Sequence, residues 1–446
     1  MSEEATERIP PRYWWLKRVG VAYVLFIAAI GGLRWWAGAV AERRLAAEIE
    51  KLRARGEMIT MADFQEENVA EEENAATHLL RAAGILNDMT AEERAEFDDL
   101  PGKLPLTGAQ MQLAQKVLGR YSKAMEEVRA ARGKRGVSWG LKLGSPAYAV
   151  PLPWLPEQRE LSSLLYAAAL DAHQRGDDAA AIEYVRDMLM IGRAVDRSPD
   201  LVCHLVAIGI SGGACDAAEQ IAQGLRIAEL AGVGPVAAKP ARRQQVRDLL
   251  AELLDDKAAR RGFDQAMQGE RFFQLDTVQC LARGGIKVND LFGPISPTPL
   301  GWSMGRLLGP AMHPLLMMEG REMMQWASDV VEAARQEDLV AASARMPVMP
   351  WGAGAWNRFR RPVTSLLVPT FGAVTNRHYQ MLYTRRHVAI ELAAREYQLE
   401  HGQRPARLAD LVPKYLPAIP KDPVSGGALP MPFVAATQPT TLPAGG

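Results

Sequence analysis

Cysteine is scarce in this 446-residue chain: Cys203, Cys215 and Cys280 are the whole set, and no two of them form a CxxC pair. An odd, scattered set of thiols supports neither a zinc site nor a disulfide framework. Net charge is also lacking. The 52 basic residues balance 52 acidic ones, so no global field draws in nucleic acid or acidic substrates. No HExxH occurs, and Gly352-Ala353-Gly354 is not a phosphate loop, because neither a preceding strand nor a following Lys-Ser/Thr accompanies it. We therefore expect no metal ion, no cofactor and no nucleic-acid partner.

One long apolar run is present. Val19 to Leu33 is uncharged, Arg34 interrupts, and Trp35 to Val40 resume. A spanning helix needs about 20 apolar residues, so the run crosses a bilayer only if Arg34 snorkels outward and Trp35 to Val40 extend it. Trp14, Trp15, Trp35 and Trp36 bracket the run as interfacial aromatics do. A cleaved signal peptide competes, with Lys17 and Arg18 closing its n-region and Ala37-Gly38-Ala39 as the cleavage site. A buried core helix is a third reading. Tryptophan pairs beside a cleavage site favour the retained anchor, spanning 19–40 behind a cytoplasmic tail, 1–18. Basic residues lie on both sides of the run, so the orientation rests on the usual signal-anchor arrangement, a short tail inside and a long body outside.

The remainder reads as mainly α-helical, an irregular helical-hairpin (α-solenoid-like) body ending in a small Pro-rich module. We divide it into a helical body at 41–283, a Pro/Gly-rich connector with a Met-rich helix at 284–372, a long helix plus module at 373–432, and a disordered tail at 433–446. Within the body, Ala41 to Arg55 continues from the anchor as a stalk, and Glu66 to Leu86 is helical. Thr90 with Glu93 forms a capping box for a short acidic helix, and Thr107 caps a helix running to about Arg132. Leu161, Leu164, Leu165, Ala168 and Ala172 share one face of the helix that begins near Pro156. Gly176 stops that helix and Asp177 caps the next, whose Ile182, Val185 and Leu189 face back. Further helices are expected over Leu201–Gln223, Lys239–Gly262, Phe263–Arg283, Met312–Arg345 and about Ala373–His401. Met317, Met318, Met323 and Met324 cluster in one of them and are assigned to a core. Trp351, Trp356 and Phe359 interleave with Arg358, Arg360 and Arg361 in what reads as a packed connector. The acidic stretch Glu57–Asp99 and the arginine-rich stretch Arg358–Arg407 read as solvated faces able to pair with each other.

Two stretches carry a resemblance. Ala167-Ala168-Ala169-Leu170-Asp171-Ala172-His173-Gln174-Arg175-Gly176-Asp177-Asp178-Ala179-Ala180-Ala181-Ile182-Glu183-Tyr184 resembles the helix-turn-helix of a tetratricopeptide repeat, although one unit does not make a solenoid. The stretch from Gly402 to Pro423, with Leu408-x-x-Leu411, Pro413-x-Tyr415-Leu416 and Pro420-x-Asp422-Pro423, resembles the C-terminal module of uncharacterised envelope-anchored helical proteins of planctomycete-type bacteria. It is also distantly similar to the segment after the long helix of type II secretion pseudopilins. The resemblance implies a single-pass protein of the bacterial inner (cytoplasmic) membrane with an extracytoplasmic body, and it brings no activity with it.

Gly209-Ile210-Ser211-Gly212-Gly213 satisfies G-x-S-x-G and makes Ser211 the one catalytic candidate, provided that a strand precedes it and a helix follows. His313, His378, His387 and His401 could then supply a base. Small residues here also suit close helix packing, the reading we prefer. His387 and Glu391 are four apart and read as a surface hydrogen-bonded pair. The expected function is thus a non-enzymatic, membrane-anchored interaction or scaffold protein of the cell envelope, with protein partners. An anchored serine hydrolase using Ser211 and a component of a secretion or pilus-like assembly are the alternatives.

Overall fold

A computed structural model gives the fold; it describes residues 13–66, 68–230, 239–286, 309–348 and 371–430. Among them are 13 α-helices and no β-strand. The interleaved Trp/Arg segment, Gly352-Ala353-Gly354 and the 433–446 tail lie outside the described residues.

Local chemistry sets many helix ends. Helix α1 runs Trp14–Ala54, without a break between its apolar and polar halves. α2 (Ala75–Asn87) starts where the Asn74 side chain accepts from the Ala76 amide at 3.0 Å. The capping box at Thr90 forms as expected and opens α3 (Ala91–Asp98), and Thr107 caps α4 (Gly108–Arg120) as expected, in a box that it completes with Gln110. α5 (Ser122–Arg132) is separate from α4 because the chain turns at the buried Tyr121. α6 (Trp154–Gln174) and α7 (Asp178–Val195) form a hairpin in which Gly176 takes φ +88° and Asp177 accepts from the Ala180 amide at 3.0 Å. That positive φ suits a residue without a Cβ. α8 (Leu201–Ala222) begins at Asp200, whose carboxylate accepts from the Val202 amide. α9 (Arg243–Leu254), α10 (Lys257–Arg283), α11 (His313–Ala334), α12 (Leu339–Arg345) and α13 (Phe371–His401) follow.

The expected boundaries need four corrections. The described residues of the helix expected from Glu66 are not α-helical before Ala75 and hold only a 3-10 turn at Glu71–Glu73. The helix expected up to Arg132 breaks at Tyr121. The break placed at Gly262 falls instead at Asp255-Asp256, and the one expected helix over Met312–Arg345 is split between Ala334 and Leu339. Asp side chains cap the restarts: Asp255 accepts from the Lys257 amide and Asp338 from the Ala341 amide.

Two cores organise these helices. The larger takes α2 to α9, the Val388–Ala394 part of α13 and the C-terminal module. Within it α7 packs on both α6 and α8, α2 on α5 and α6, and α13 on α8 and α9. All the face residues named for α6 and α7 are buried there. The module adds Leu408, Leu411, Tyr415, Leu416 and Leu429, and Asp422 closes its terminal turn by accepting from the Val424 amide and the Ser425 hydroxyl. The second core joins the lower half of α1 to α10, α11 and the start of α13, through Ala41, Leu45, Leu52, Met267, Val278, Met323, Met324 and Phe371. Met317 is buried there too, whereas Met318 stays exposed. Packing therefore runs across the divisions drawn at 284 and 373.

The stalk does not stand free either, because Ala41, Leu45 and Leu52 (i, i+4, i+11) place one stripe of α1 on α11. The upper half of α1 differs. From Trp14 to Leu33 every large apolar side chain is exposed, and the most hydropathic window of the helix, mean hydropathy 1.7, has none of its residues buried. α8 is the other described helix long and apolar enough to cross a membrane, but 56% of its corresponding window is buried in the body. Arg34 donates to the Pro310 carbonyl, so its guanidinium is held by the body and does not snorkel away from it. Gly38 lets His313 approach α1, and His313 Nε2 lies 3.0 Å from Glu42.

The acidic and arginine-rich stretches do not pair with each other among the described residues. Glu57 meets Arg271 and Arg335 at 2.9 and 2.7 Å, and Glu96 meets Arg120 and Lys116.

Candidate functional site

The polar centre of the molecule forms where the α7–α8 turn meets α10 and α13. α7 ends at Val195, and Asp196 follows as its C-cap. Asp196 Oδ1 lies 2.6 Å from Nδ1 of His204, one turn inside α8. His204 Nε2 in turn lies 3.2 Å from Nδ1 of His378 on α13. Phe263 of α10 covers both rings, with centroids 4.1 Å from His378 and 5.1 Å from His204. α10 comes this close because it presents glycines. A Cβ on Gly262 would fall 2.1 Å from the Asp196 carboxylate, and one on Gly269 would fall 1.9 Å from the Pro199 carbonyl.

Burial controls the charges. It pushes His378 well below the ordinary histidine range, and the charges of His204, Arg260 and Arg385 act in the same direction, so His378 is neutral. Burial raises the pKa of Asp196 against the pull of His204 and Arg385. Each of the two contacts, Asp196 Oδ1 with His204 Nδ1 and His204 Nε2 with His378 Nδ1, is bridged by one proton. Nε2 of His378 is buried without a partner, and His378 lines a second, smaller cavity of about 100 Å³ together with Arg260, Asp264 and Arg335. The three side chains are thus a hydrogen-bonded string that reaches from one cavity to another.

His204 and Asp196 line the larger of these cavities, about 260 Å³, between α7, α8, α10 and α13. Its other charged walls are Arg132, Lys134, Arg193, Arg197, Arg261 and Arg385, six cations against Asp196 alone. Ala207, Ile208, Met190 and Met381 supply the apolar part. Trp139 steadies one side from the loop before α6: it stacks on Trp154 at 4.0 Å and donates its indole N–H to the Ala194 carbonyl at 3.0 Å.

Ser211 also lines this cavity, though not in the setting its motif requires. α8 is one helix from Leu201 to Ala222, so no strand precedes Ser211 and the strained elbow does not form. His204 shares its face seven residues earlier, which at 1.5 Å per residue is about 10 Å along the axis. The expected bases go elsewhere. His313 meets Glu42, His378 meets His204, and His401 contacts the Tyr415 hydroxyl at 3.0 Å. His387 stacks on Tyr383, centroids 6.1 Å apart, and no hydrogen bond joins it to Glu391. The preferred packing role of the glycines holds at one position only. A Cβ on Gly213 would touch Met188 at 3.4 Å, whereas Gly209 and Gly212 face open space.

No group of three or more His, Cys, Asp or Glu side chains among the described residues converges to hold a metal ion. Burial pushes the thiols of Cys203 and Cys215 up to about 12, so neither is a thiolate at neutral pH. Sequence reasoning missed the Asp196–His204–His378 string because His204 and His378 are 174 residues apart and neither sits in a motif. Comparisons of the chain with protein-family models, with curated proteins and with solved structures find no match.

Proposed function

We propose that the chain is a membrane-anchored helical interaction protein of the bacterial cell envelope. In this reading the upper half of α1 crosses the inner membrane once, with the N-terminus in the cytoplasm. The helical body stands outside and binds protein partners. One observation carries the proposal: a single helix changes character at Gly38, from fully exposed apolar side chains to a buried core stripe. The fifteen uncharged residues from Val19 to Leu33 rise about 22 Å, and Lys17 and Arg18 with Trp14 and Trp15 extend the helix toward the headgroup level of a bilayer whose hydrocarbon core is about 30 Å thick. Leaving so many large apolar side chains in water is unfavourable by about 25 cal/mol per Å².

Alkaline carbonate extraction of membranes tests the anchor. Full-length protein is expected to stay in the pellet and to enter solution only with detergent. Release by carbonate alone would overturn the proposal.

A further inference from the structure

The larger cavity has a charge pattern that its own neighbours do not satisfy. Arg132 is engaged by Glu183 and Asp187, and Arg193 by Glu252 at 2.9 Å. The other four cations meet no carboxylate among the described residues. Lys134 donates to the Glu72 carbonyl at 2.7 Å. Arg385, only 4% exposed, donates one terminal nitrogen to the carbonyls of Glu252 and Asp255, and its Nε is buried without a partner. Arg197 and Arg261 are exposed and form no ion pair among the described residues. The single acid of the wall, Asp196, is occupied by His204. Asp196, Asp255 and Asp256 act on Arg385 only at a distance, so its guanidinium is buried without an ion-pair partner, an arrangement that a bound anion would relieve.

We propose that this cavity binds a phosphate monoester, with the phosphate among Arg385, Arg197 and Arg261 and the ester carbons against Ile208 and Met381. Guanidinium forks match the terminal oxygens of such a dianion. A monocarboxylate would satisfy fewer of the four uncompensated cations. A volume of about 260 Å³ suits a small head group with a few carbons, being just below the roughly 300–1,000 Å³ of pockets for drug-sized ligands. A soluble metabolite and a lipid head group share this chemistry. The proposal does not depend on the membrane reading above.

The test uses the full chain in detergent, titrated with propyl phosphate, inorganic phosphate and butyrate against sodium chloride of equal ionic strength. Propyl phosphate is expected to raise the thermal midpoint and to bind at least tenfold more tightly than butyrate. The variant Arg197→Ala/Arg261→Ala changes two exposed side chains, so its unliganded midpoint should match the parent while its affinity for propyl phosphate falls at least tenfold. Micelles doped with phosphatidate give the source: a shift from these at much lower phosphate concentration than from propyl phosphate assigns a lipid head group, and equal shifts assign a soluble ester. Equal binding of butyrate, no shift beyond the chloride control, or undiminished binding by the double variant would each overturn the proposal.

Discussion

Glu270 shows how a single side chain couples stability to pH. It lies on α10, takes a hydrogen bond from Gln274 at 3.1 Å, and burial together with the charge of Asp200 outweighs that bond. Its carboxyl is pushed up from 4.5 to about 7. The folded state therefore keeps a proton that the unfolded chain releases above pH 4.5. Bound protons favour the folded state in that window, so stability falls as pH rises from about 4.5 to 7 and levels off above it. At about 1.36 kcal/mol per unit the full effect is on the order of 3 kcal/mol. Glu270→Gln is expected to flatten the slope between those pH values and to be the more stable protein above pH 7, as read from urea midpoints across pH. Nothing in the sequence marks Glu270 as special, since its pKa comes from what α10 is buried against. The same holds for His204 and His378. By contrast, Thr90, Thr107 and Asp177 were legible as caps because a cap bonds within three residues of itself.

At the scale of helices, the starts were more legible than the breaks. Tyr121, Asp255-Asp256 and the segment after Ala334 interrupt helices without glycine or proline, and tertiary packing makes those breaks. α8 shows the converse case, where the motif suggested more than the helix contains. Gly209 and Gly212 lie in regular helix facing open space, so each weakens α8 by backbone entropy without a packing return. Gly209→Ala and Gly212→Ala are expected to stabilise the protein by about 0.5–1 kcal/mol each. Gly213→Ala should gain less, because its Cβ would press on Met188 at 3.4 Å. Differential scanning calorimetry of the three variants checks the order.

At the scale of the whole molecule, helical content and the apolar N-terminal run could be read from pattern alone. The arrangement of the two cores could not, because it depends on long-range contacts between α1 and α11 and between α8 and α13. These contacts make the lower half of α1 part of the folded body. Leu45, 3% exposed in the second core, is expected to cost about 2–5 kcal/mol on replacement by alanine. Chemical denaturation in detergent measures this, and the loss should appear in the unfolding of the body.

The unbroken course of α1 through Gly38 has a further consequence, one of phase. Nothing between the exposed half and the buried half acts as a swivel. Each residue added or removed near Ala37 would turn the body by about 100° around the helix axis and move it about 1.5 Å along that axis. The direction in which the body faces, relative to the exposed apolar half of α1, is therefore written in the residue count between Leu33 and Ala41.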